Sequence, residues 1–166
     1  LTATFEWDEW NGAGKTQTHA ISNCNWGNVD SPNIVVTDDD KKVPRGENSY
    51  SKYETGHFSG VYTQIGPNGK LWKSAGSLSA GITLKAVMTV TYSTPSKTST
   101  GDLDIPTVEG SALAVQFGAT PETATNNSDT SNPAYTAYWR SQLQVGSGAS
   151  SGLIGSQTIT LKYDES

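Results

Sequence analysis

The stretch Gly81-Ile82-Thr83-Leu84-Lys85-Ala86-Val87-Met88-Thr89-Val90-Thr91-Tyr92 decides how the whole chain is read. Successive side chains on a strand point to opposite faces. Here Ile82, Leu84, Ala86, Met88, Val90 and Tyr92 fall on one face, and Thr83, Lys85, Val87, Thr89 and Thr91 on the other. A helix would instead repeat its apolar residues at spacings of three and four. At ~3.3 Å per residue the stretch spans about 40 Å, which suits the middle of a sandwich.

The same two-residue period recurs outward in both directions. Toward the N-terminus, Phe58 to Ile65 and Lys70 to Ser74 flank Gly66-Pro67-Asn68-Gly69. Pro67 presets φ and Asn-Gly accepts the left-handed region, so a hairpin is expected there. Asn33 to Thr37 reads as a short buried strand, and Thr16 to Ile21 as a strand after the turn Asn11-Gly12-Ala13-Gly14. Toward the C-terminus, strands are expected over Ser111 to Phe117, Tyr135 to Val145 and Leu153 to Tyr163. Thr120 to Pro133 reads as a long polar loop. Seven to nine strands at this spacing, with no second core and no fixed repeat, predict an all-β fold. The expectation is a single-domain, jelly-roll-like β-sandwich over residues 1–166.

Composition narrows the function. The chain has 166 residues, enough to bury roughly 70% of its unfolded surface without disulfides. Ser and Thr number 20 and 21, about a quarter of the chain, while only 16% of residues are charged. With 11 Lys and Arg against 16 Asp and Glu the net charge is −5, which argues against nucleic acid as a partner. No apolar run reaches the ~20 residues of a membrane-spanning helix. The low charge, the single Met and the single Cys point to an extracellular or cell-surface location. The start at Leu1 without a Met fits removal of a signal peptide. Asn126-Asn127-Ser128 is a candidate N-glycosylation site at Asn126.

Catalytic groups are scarce. Cys24, His19 and His57 lie in no recognisable nucleophile motif. Two His and one Cys do not close a zinc site without carboxylates, and their spacing suggests none. Asp38-Asp39-Asp40 and Asp102-Leu103-Asp104 offer loop oxygens, but neither matches a calcium-binding loop. Glu6, Asp8 and Glu9 beside Trp7 and Trp10 resemble a sugar cleft in composition, yet adjacent strand residues such as Asp8 and Glu9 face opposite ways. No cofactor, no metal and no enzymatic activity are therefore expected. Trp10, Trp26 and Trp72 lie in or near loops and turns. They are candidates for a glycan platform or for subunit contacts.

The first strand is the strongest functional hint. Thr2, Ala3, Thr4, Phe5, Glu6 and Trp7 place Ala3, Phe5 and Trp7 on one face. A strand tethered by a Gly-rich turn can pair in its own sheet or complete a neighbour's, where backbone hydrogen bonds and alternating side chains supply affinity. Repeated head to tail, such a contact builds a fibre. The opening strand, the acidic Asp8-Glu9 after it and the Ser/Thr/Asn/Gly-rich sandwich resemble TasA-like biofilm matrix fibre proteins and archaeal bundling pili. The resemblance covers the first ~10 residues and the overall architecture. It implies an extracellular homopolymer built by donor-strand complementation, with residues 1–10 as the donated segment and Thr2 to Trp7 as its strand. The alternative is a secreted carbohydrate-binding module using Trp10, Trp26 and Trp72, with surface glycans as partners. The Thr rows on outward faces reflect β-propensity on an uncharged surface. Charged edges normally guard against strand pairing, so their scarcity suits a protein that meets its own copies.

Overall fold

A computed structural model describes residues 2–62, 64–65, 68–117, 135–152 and 154–165. Its strands are β1 Ala3–Asn11, β2 Thr16–Thr18, β3 Lys52–Gly60, β4 Gly69–Ala75, β5 Ile82–Thr89, β6 Leu103–Asp104, β7 Leu113–Val115, β8 Tyr138–Val145 and β9 Thr158–Lys162. They form two antiparallel sheets, a six-stranded one in the order β2-β1-β3-β8-β5-β6 and a three-stranded one in the order β7-β4-β9. The fold is an all-β sandwich. The only helical turns among the described residues are two short 3-10 segments, and no helix is long and apolar enough to cross a membrane.

The alternation read at β5 sets the core. Ile82, Leu84 and Ala86 are buried and pack with Trp139, Leu143 and Val145 of β8, Phe58 of β3 and Leu71 of β4. Ile159 and Leu161 of β9 and Phe5 and Trp7 of β1 close against the same cluster. The opposite face of the large sheet carries a second, smaller aromatic group: Trp10, Tyr53 and Tyr138, joined by Tyr92. Alternation places Tyr92 on the Ile82 face, but it lies beyond the end of β5 at Thr89, where the alternation no longer holds. β5 pairs with β8 along its whole length, from Ile82↔Val145 to Thr89↔Tyr138.

Two local expectations are corrected. Among the described residues the arms of the expected hairpin do not pair: residues 58–60 end β3, which lies in the large sheet between β1 and β8, Ile65 bridges Glu165, and β4 lies in the small sheet between β7 and β9. Turn residues favour a reversal of the chain but do not choose the sheet each arm enters. The Gly66-Pro67 step itself falls outside the described residues, as does the expected loop from Thr120 to Pro133. Asn33 to Thr37 is not a strand. Asn33 takes a left-handed φ of 52°, and the Asp38 amide donates to the Val35 carbonyl, closing a turn. Ile34 is buried there, while Val35 and Val36 are exposed.

Candidate functional site

β1 carries acids on both faces, and the fold treats the two faces differently. The strand runs past Trp7 to Asn11, pairing with β3 from Ala3↔Gly60 to Trp10↔Tyr53 and with β2 from Glu9↔Thr18 to Asn11↔Thr16. Phe5, Trp7 and Glu9 point inward; Glu6, Asp8 and Trp10 point outward. As expected from their adjacency, Asp8 and Glu9 do not converge.

On the inner face, Glu9 Oε1 accepts hydrogen bonds from Lys52 Nζ at 2.6 Å and Asn11 Nδ2 at 2.9 Å. Both partners of the ion pair are buried. Directly across the ladder from Glu9 stands Glu54, whose Oε1 accepts from the Cys24 thiol at 2.5 Å. Burial, reinforced by the Glu9 charge, pushes the Glu54 carboxyl up to about 8. Burial and then Glu54 push the Cys24 thiol well above its ordinary value. A thiol held protonated is a poor nucleophile. Cys24 and Glu54 line a cavity of about 190 Å³ with Trp7 and Trp139.

On the outer face, four side chains from β1, β3 and the end of β2 meet. Glu6 and Asp8 are two residues apart on β1 and so share a face. His57 on β3 stands opposite Glu6, and its Nδ1 lies 2.8 Å from Glu6 Oε1 and 3.4 Å from Asp8 Oδ2. His19 follows the last rung of β2. Its Nδ1 lies 2.8 Å from Asp8 Oδ2 and 3.9 Å from Glu6 Oε1. Asp8 is fully buried and also accepts from Gln17 Nε2 at 2.9 Å and from the Ala20 amide at 3.0 Å. Tyr135 stacks on His57, with centroids 4.4 Å apart and planes 2° from parallel, and its hydroxyl accepts from Gln17.

The acidic loops considered for calcium are occupied by cations of the chain. Lys41 and Lys42 pair with Asp38 and Asp39. Arg140 holds Asp102 through two hydrogen bonds, and Lys85 pairs with Asp104.

The three tryptophans singled out from the sequence are placed apart. Trp10 is a correction: it lies within β1, buried against Tyr138, and its Nε1 donates to Thr55 Oγ1 at 3.0 Å. Trp26 packs edge-on to Trp139, the neighbour of Tyr138 on β8, and therefore on the other side of the large sheet. Its Nε1 donates to Ser141 Oγ. Trp72 on β4 adjoins the core residue Leu71 and faces outward from the small sheet. Trp26 borders a cleft of about 1100 Å³, lined also by Ile34, Ile82, Leu143, Val145 and Ile159. Beside that cleft, β9 has a strand partner on only one side among the described residues. Asn126 lies outside the described residues.

No protein-family model, curated protein or solved structure matches the chain. What the sequence reading missed is the meeting of His19 and His57 with Glu6 and Asp8. The legible half of that signal is Glu-x-Asp on a strand, two acids on one face. The other half depends on which strands flank β1.

Proposed function

We propose that the protein is a structural, non-catalytic subunit of an extracellular self-assembling filament, polymerising by passing β1 into a neighbouring copy. The observation that supports this reading is the way β1 is seated. It fills one slot of the large sheet as an eight-rung ladder against β3 and plugs the core with Ala3, Phe5 and Trp7. Every copy offers the same slot. A strand exchanged between copies remakes the same contacts, so closed and exchanged states differ chiefly at the connection to β2. That connection is short: Gly12 takes φ 68° freely, while Lys15 at φ 50° holds a strained conformation that opening the turn would release. Exchange repeated in one direction does not close on itself and yields a fibre.

Negative-stain microscopy of the native material tests the reading, and filaments are expected. A chain lacking residues 1–10 is expected to stay monomeric and to capture a synthetic peptide of residues 2–11 in its vacant slot. A parent protein that stays monomeric at high concentration argues against it.

A second reading, a secreted carbohydrate-binding module, is favoured by the Trp26 cleft, whose apolar wall is joined by Asn23, Asn25 and Arg45. It expects a monomer that loses glycan binding on Trp26→Ala. Binding unchanged by that substitution counts against it.

A further inference from the structure

We infer that Glu6, Asp8, His19 and His57 form a binding site for one divalent transition-metal ion of the zinc class. The inference does not rest on strand exchange: the four ligands meet in the closed chain, and an exchanged β1 would bring its Glu6 and Asp8 to the same two histidines of the next copy.

The donor set fits the chemistry. Two imidazole nitrogens and two carboxylate oxygens suit zinc and its neighbours better than calcium or magnesium, which take oxygen alone. One ligand atom from each residue lies within 4.8 Å of all the others. Four atoms around a tetrahedral zinc at ~2.0–2.1 Å sit about 3.3 Å from one another. The four imidazole-to-carboxylate separations, 2.8, 2.8, 3.4 and 3.9 Å, bracket that value. With a metal at each Nδ1, each neutral ring keeps its proton on Nε2.

The surroundings hold the ligands in place, as outer partners do at metal sites. Asp8 is anchored by Gln17 and the Ala20 amide, and Tyr135 lies flat on His57. Ala20 holds a left-handed φ of 50°, a conformation that costs an Ala free energy and here follows directly on His19. The entry path is open. The His19 side chain is 57% exposed and Glu6 31%, over a fully buried Asp8. With four protein ligands the site is closed and structural rather than catalytic. It ties β1 to both of its neighbours, β2 and β3.

The test is calorimetric titration of the untagged full chain with Zn²⁺, together with Co²⁺ absorption. One ion per chain is expected, with the intense visible bands of four-coordinate cobalt and a raised melting temperature. Glu6→Gln and His57→Ala should each weaken Zn²⁺ binding at least tenfold, while Cys24→Ser leaves it unchanged. Glu6 is partly exposed and Glu6→Gln is nearly isosteric, so that variant remains informative if His57→Ala fails to fold. Absence of one-to-one binding overturns the site. So does affinity unchanged in Glu6→Gln, or affinity lost with Cys24.

Discussion

Lys52 Nζ lies 2.6 Å from Glu9 Oε1, and both side chains are buried, with Asn11 and the Ser31 carbonyl beside them. The pair joins β1 to β3 across their shared ladder. Taking two charges out of water is costly, and their attraction offsets that cost only while both are present. Lys52→Met leaves Glu9 buried without its cation. It is expected to destabilise the fold by about 3–5 kcal/mol, measured by urea unfolding. The double variant Lys52→Met/Glu9→Leu should recover most of that loss. A double variant no better than the single one would show that the pair itself contributes net stability.

Glu54 makes stability fall with rising pH. Its carboxyl titrates at about 8 in the folded chain, against an ordinary 4.5. Between those values the folded state keeps a proton that the unfolded state has lost. The contribution is complete below about pH 4.5 and is lost as pH passes 8. Within that window each step of one in pH removes at most roughly 1.4 kcal/mol. Glu54→Gln is expected to flatten the decline between about pH 5 and 8 in a series of denaturation curves. An unchanged slope would place the titrating group elsewhere.

Cys24 is half-buried as a residue, yet its thiol donates to Glu54 and is held protonated. The thiolate is the reactive form. Alkylation of the native protein at about pH 8 should therefore run far slower than that of an unfolded control. Glu54→Gln should speed it by removing the neighbouring negative charge. Labelling of the native chain at the control rate would refute this.

Gly56 makes room for β1. A Cβ built there comes within 2.8 Å of the Phe5 ring and 3.1 Å of Thr136 Cγ2. Gly56→Ala is expected to unseat Phe5 and cost about 1–3 kcal/mol. It should also raise amide hydrogen exchange along β1 ahead of β5 and β8. Uniform loss of protection would mean that β1 does not open separately from the sheet.

Much of the fold is legible because a strand's side-chain period is a local property. Ile82, Leu84 and Ala86, Ala3, Phe5 and Trp7, and Ile159 and Leu161 all face the core as alternation predicts. The opposite orientation of Asp8 and Glu9 follows from the same rule. Trp10 reads as a loop residue because polar and turn-forming neighbours surround it. In the fold the turn starts only after Asn11, and the strand continues through Trp10.

Local pattern along the chain is enough to read the class of fold and the faces of most strands. Each of these depends on residues only a few positions apart. The tertiary structure alone decided who pairs with whom. The strands on either side of Gly66–Gly69 enter different sheets, because β3 finds β1 and β8 while β4 finds β7 and β9. Likewise His19 and His57 meet only because β1 lies between β2 and β3, bringing both imidazoles over Glu6 and Asp8. Pairing is set by burial summed over the whole core, and no local period encodes it.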